Sequence, residues 1–199
     1  MSELQPTTSH PELSLLLGSG ADASALRAYL DGLSAEARVK ECRALNRPAL
    51  KTLYERCETS PPLRLADMVP DALPAKTQVI FAGLNNLPLH RLFEKRFART
   101  PSGKIVGYNF QSLAAFSGPG YFTVDPAGDE LVIDYTKIPT QDEVPTDWPE
   151  VQPNNRGLSH FIYKNMQDYC RSVSKDVVIG HATRLGKSMP AYFVLARRA

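Results

Sequence analysis

Near the end of the chain, Gly180-His-Ala-Thr-Arg-Leu-Gly186-Lys187-Ser188 carries the glycines, lysine and hydroxyl of a phosphate-binding loop. The spacing is wrong for one, because five residues separate the glycines where such a loop has four before its Lys-Ser. A phosphate loop must also open a helix, whose N-terminal N–H groups hold the anion. Here Pro190 follows almost at once, and Ala191-Tyr-Phe-Val-Leu-Ala196 is rich in strand formers. The segment therefore predicts a β-hairpin turning at Gly186-Lys187-Ser188. On its first strand His181 shares a face with Val177, Ile179 and Thr183. That places it either in the core, hydrogen-bonded to a neighbour, or against a ligand.

Other combinations capable of chemistry fail on context. Gly18-Ser-Gly20-Ala-Asp-Ala23 has the look of a dinucleotide fingerprint, but the region where its second strand should lie, around Arg38 to Leu45, reads as helix. A flexible approach to a helix N-terminus accounts for it. His10 falls in a polar arm, His90 and Glu94 span a loop-to-strand junction, and His160 sits at the start of an expected helix. His181 with Asp134, or His160 with Asp168, could meet in space, yet nothing in the spacing requires it. Ser117-Gly-Pro-Gly120 lacks the serine between two glycines that a nucleophile elbow needs. No catalytic set emerges, and an enzyme centred on His181 is the least supported function.

Cys42, Cys57 and Cys170 are far apart and show no metal-ligand spacing. We expect no zinc and no cofactor, and read the thiols as small buried hydrophobes of a reduced, cytoplasmic protein. Net charge is +2, from 23 basic and 21 acidic residues well mixed along the chain, which gives no electrostatic case for nucleic acid. The run Leu13 to Leu17 is too short for a signal peptide core or a membrane span. Lys95, Arg96, Arg99 and Lys104 gather positive charge on one hairpin, as strand edges often do to deter pairing.

Alternating strand positions are more informative. Residues 104–112 put Val106, Tyr108 and Phe110 on one face and Ile105, Gly107, Asn109 and Gln111 on the other. Asn109 and Gln111 would be costly in a dry core without partners, so they face water or line a polar pocket. Tyr121, Tyr135 and Tyr192 add hydroxyls at strand positions, suited to a small-molecule cavity. With His181 these form the expected ligand set: Asn109, Gln111, Tyr121, Tyr135, His181 and Tyr192.

The elements that must position them follow from periodicity. Residues 1–20 read as a flexible arm and 21–58 as a helical region. Its apolar stripes are Leu26, Tyr29, Leu30 and Leu33, then Val39, Cys42 and Leu45, then Leu50, Leu53, Tyr54 and Cys57. Ser34 suits a helix cap and Pro48 a first turn. A proline-rich connector fills 59–76. From 77 to 199 the period shortens to two, with strands expected at 78–83, 92–99, 104–112, 120–125, 130–136, 177–184 and 191–197. Pro101-Ser-Gly103 and Pro126-Ala-Gly-Asp129 are hairpin turns between them. A helix is expected over 157–174, with Leu158, Phe161, Ile162, Asn165, Met166, Tyr169 and Val173 at helical spacing. Before it, the long loop 138–153 holds Trp148 and is expected to cover a binding-site mouth.

This order, a meander of short hairpins closed by a final strand ending in Arg197-Arg198, resembles the lipocalin-like (calycin) barrels over residues 76–199. The chain as a whole resembles an uncharacterised bacterial family with such a β domain. The resemblance implies a barrel that holds a small hydrophobic ligand inside. We expect an α+β protein: short N-terminal helices packed on a strongly curved or closed antiparallel sheet, with one additional helix. Its expected function is non-covalent binding of a small, largely apolar molecule. The alternative is a protein-interaction module that docks a partner through residues 21–58.

Overall fold

The computed structural model describes residues 12–88, 90–110, 118–154 and 163–199. Eight antiparallel strands follow one another around a closed barrel: β1 (Val79–Asn85), β2 (Leu92–Arg99), β3 (Ile105–Phe110), β4 (Tyr121–Ala127), β5 (Glu130–Asp134), β6 (Met166–Ser174), β7 (Val177–Arg184) and β8 (Lys187–Arg197). Each pairs with its neighbour in sequence, and β8 returns to β1 through partners running from Phe81↔Arg197 to Asn85↔Phe193. The molecule is α+β, with helices beside a closed antiparallel barrel.

Four of the helices form a layer over the outside of β1, β6, β7 and β8. They are α1 (Glu12–Gly18), α2 (Ala23–Asp31), α3 (Ala35–Arg43) and α4 (Arg47–Arg56). Side-chain oxygens of Asp22, Ser34 and Asn46 cap α2, α3 and α4, accepting from the N–H groups of Ala25, Ala37 and Ala49. None of these helices is long enough to be stable alone. Leu26, Leu30, Leu50 and Leu53 are instead fully buried against Val173, Val177, Ile179 and Val194 of the barrel wall. Arg38 clamps the layer, pairing with Asp176 at 2.6 Å while its remaining donors reach the carbonyls of Leu30 and Leu33. The stretch expected to be a loose arm thus includes a helix, because Leu13 and Leu17 lie one turn apart and both find cover in this layer.

The expected helix over 157–174 is corrected: Met166–Ser174 is strand β6, paired with β5 and β7. Residues 155–162 lie outside the described residues. The misreading has a physical cause. Strand β6 faces the barrel interior on one side, through Cys170, and the helical layer on the other, through Val173. Apolar residues on both faces erase the period of two that a half-exposed strand shows. Its neighbour β7 is buried at every position except the last for the same reason.

The barrel is closed at one end. The connector contributes the short helix α5 (Leu65–Met68), and Leu63, Met68 and Val69 join Phe81, Phe97, Phe122 and Val124 in a packed core there. Arg99 donates to the Val69 carbonyl at 2.6 Å, and Arg197 to that of Asp67. Three interior glycines are register partners of interior aromatics: Gly83 of Phe93, Gly107 of Phe122 and Gly180 of Phe193. A Cβ on any of them would lie within 2.6 Å of the partner ring, so each ring rests on bare backbone. This lets an eight-stranded barrel hold so many large rings.

Candidate functional site

At the end opposite the connector, the barrel opens into a cavity of about 300 Å³, lined by residues that include Phe93, Lys95, Asn109, Tyr135, Tyr163, Met166, Asp168 and Phe193. Strand alternation builds its floor. Phe93, Lys95 and Phe97 succeed one another on the inward face of β2, and Lys95 is the direct partner of Asn109 on β3. Tyr135 follows β5, and Asp168 lies on β6 two residues before the inward Cys170.

These four polar side chains form one closed network. Lys95 Nζ donates to Asn109 Oδ1 at 2.9 Å, to the Tyr135 hydroxyl, and to Asp168 Oδ2 at 3.3 Å. Asn109 Nδ2 donates to the Tyr135 oxygen at 3.0 Å. Lys95 is only 2 % exposed and Asp168 3 %, so this is a desolvated ion pair rather than a surface one. Four rings surround the amine, those of Phe93, Phe122, Tyr135 and Phe193, with centroids 5.0–5.8 Å from Nζ. Burial pushes the Lys95 ammonium below its usual range, with Asp168 opposing the shift. It raises the Asp168 carboxyl, with Lys95 opposing in turn. The Tyr135 phenol is held well above its ordinary value by burial, and Tyr163, stacked on it at 5.1 Å, is pushed up to about 12 by burial.

Of the residues expected to bind ligand, Asn109 and Tyr135 therefore meet in the barrel floor, while Gln111 lies outside the described residues. Tyr121 and His181 have outward side chains, and Tyr192 borders the cavity while its ring packs in the outer seam. Tyr121 packs between Tyr108 and Trp148 on the outer wall and donates to the Pro149 carbonyl. His181 and Tyr192 stack together beneath Tyr54 of α4, in the seam between barrel and helices. His181 Nε2 lies 2.8 Å from the Met189 carbonyl oxygen and 3.0 Å from Ser188 Oγ. The Trp148 loop is corrected too: rather than covering the mouth it lies along the outer wall, its indole N–H donating to Gln78 Oε1 at 2.8 Å. A T-shaped contact with Tyr108 and a partner for the polar N–H make that wall the better site for an indole.

Sequence reasoning left Lys95 and Asp168 out of the expected ligand set, weighing Asp168 only as a partner for His160. The signal for Lys95 was present, since a lysine alternating with Phe93 and Phe97 on an apolar strand face points inward. The basic hairpin that seemed to contain it dissolves in three dimensions. Arg96 lies outside over the Phe110 ring at 4.0 Å, Arg99 pairs with Asp71 at 2.6 Å, and Lys104 with Glu143 at 3.5 Å. Asp168 was hidden by the helical reading of β6.

Among the described residues no group of three or more His, Cys, Asp or Glu side chains could hold a metal ion, and no helix is long and apolar enough to cross a membrane. Comparison with protein-family models, curated proteins and solved structures finds no match to this chain.

Proposed function

We propose that the barrel binds one small, largely apolar molecule carrying an uncharged polar head, with that head against Lys95, Asn109, Tyr135 and Asp168. The observation that carries this reading is a fully buried, hydrogen-bonded polar cluster at the floor of a cavity of about 300 Å³ whose walls are mostly apolar, with Asn85 and Arg184 at its open end. Convergent polar groups in an apolar, concave site are what a binding pocket offers to fix a ligand's orientation. The preference for a neutral head follows from charge. Lys95 and Asp168 already offset one another, so a carboxylate or ammonium on the ligand would bring an uncompensated charge into a low-dielectric interior.

The mouth supports the same reading. Leu87, 47 % exposed, follows the end of β1 and lines the cavity, and Leu185, 73 % exposed, sits in the turn between β7 and β8 at the same end. They give an apolar molecule a path of entry. The docking alternative is less favoured, because the helices' apolar stripes are buried on the barrel. The free, buried thiols of Cys42, Cys57 and Cys170 suit a reducing, cytoplasmic setting. Native mass spectrometry of the purified protein tests the proposal. A single co-purifying neutral molecule that is lost from Tyr135→Phe is the expected result. A protein that takes up no apolar alcohol, aldehyde or ester overturns it.

A further inference from the structure

We infer that Lys95 captures an aldehyde covalently: its Nζ condenses with the carbonyl carbon of a small apolar aldehyde seated in the barrel cavity, giving an imine and releasing water. The inference deepens the proposed function and rests on it. It adds the class of ligand head and the bond that holds it.

Three features of the site point to this chemistry. First, the amine lines the cavity that a ligand would occupy, at the inner end where the head of a molecule entering tail-outward would arrive. Second, its surroundings disfavour a hydrated ammonium while accommodating a substituted cation, since four aromatic rings stand within 6 Å of Nζ. Third, imine formation needs a group that first removes a proton from the ammonium and later returns it, and Asp168 Oδ2 lies 3.3 Å from Nζ. Burial acts on both partners towards their neutral forms, which favours that transfer.

The atoms balance without any further reagent. The ammonium of Lys95 gives one proton to Asp168, and the freed nitrogen lone pair forms a C–N bond to the carbonyl carbon as the C=O π pair moves to oxygen. A proton then passes from that nitrogen to the oxygen, giving a neutral carbinolamine. Asp168 returns its proton to the carbinolamine hydroxyl, the C–O bond breaks, and water leaves. The nitrogen lone pair closes the C=N bond, leaving a protonated imine beside the Asp168 carboxylate. The cavity holds one positive and one negative charge before and after. The Tyr135 hydroxyl, bonded to Asp168 Oδ2 at 3.3 Å, orients the carboxyl through the sequence.

The test is reductive trapping on the intact chain. The protein is incubated with octanal and cyanoborohydride, digested and mapped by mass spectrometry, with octan-1-ol binding measured in parallel by calorimetry. We expect octylation at Lys95 to outpace that at exposed Lys51 and Lys187 by about ten-fold or more, because the cavity holds the aldehyde against its amine while the surface lysines meet it only from solution. Lys95→Met removes the adduct but strands Asp168. A second variant, Lys95→Met with Asp168→Asn, therefore repeats the loss in a chain whose cooperative unfolding shows it folded. Binding of octan-1-ol, with octylation spread over exposed lysines and Lys95 unmodified, overturns the inference and leaves the proposed function standing. Failure of both octan-1-ol and octanal to bind overturns both.

Discussion

Burying a lysine and an aspartate side by side is expensive, and the expense is repaid only while both are present. Lys95→Met should therefore cost about 3–5 kcal/mol in urea unfolding, because it leaves the Asp168 carboxylate without its counter-charge. Adding Asp168→Asn should recover much of this, giving a coupling on the order of 2 kcal/mol in the double-mutant cycle. The single variant also acquires a pH signature. In the folded chain Asp168 already lies above its ordinary value through burial, and losing Lys95 raises it further. A carboxyl whose folded pKa exceeds its unfolded one stabilises below the unfolded value and loses that contribution as pH rises through the folded value. The stability of Lys95→Met should accordingly climb on acidification more steeply than that of the wild type, with Tyr135, Tyr163, Cys170 and His181 as the other titratable groups around the pair. Denaturation midpoints at several pH values check both sign and slope. Tyr135→Phe deletes one hydroxyl shared by Lys95, Asn109 and Asp168, and should cost about 1–3 kcal/mol.

At the scale of the element, the interior depends on rings resting against glycine. Gly180→Ala would put a Cβ 2.1 Å from Phe193 Cζ, so the ring must swing into the cavity or the strands must part. A loss of about 1–3 kcal/mol is expected from such overpacking. Gly18→Ala, where a Cβ meets nothing within 4 Å, should leave stability nearly unchanged. Thermal melts of the two variants side by side test the contrast. The same elements explain what could be read from sequence. Strands with one face in water, such as β2 with Glu94 and Arg96 outside, announce themselves by alternation. Caps do as well, since Asp22, Ser34 and Asn46 each act locally. Strand β6 was illegible because its outer face is covered by helices more than a hundred residues earlier in the chain. No local window contains that information. The site divides in the same way: Asn109 and Tyr135 stand out as polar groups on apolar faces, whereas the inward turn of Asp168 depends on recognising β6.

For the whole molecule, helices and barrel share one apolar seam rather than forming separable units. Removing residues up to 58 would strip the cover from Leu84, Val173, Val177, Ile179 and Val194. The truncated chain should lose cooperative unfolding and self-associate, as sedimentation would show, instead of persisting as a free barrel with its binding intact. Closure of the sheet has a consequence in time. Strand β8 pairs with both β7 and β1, so no subset of the first seven strands encloses the interior. During synthesis the eighth strand is the last of the eight to emerge, and until it does, Lys95 and Asp168 have no sealed compartment around them. The cavity therefore arises in one late step, joining segments about a hundred residues apart, the kind of long-range closure that makes folding slow. A nascent chain halted before β8 would present Phe81, Leu84 and Val178 along two unpaired edges, and would depend on whatever shields them until the ring is shut.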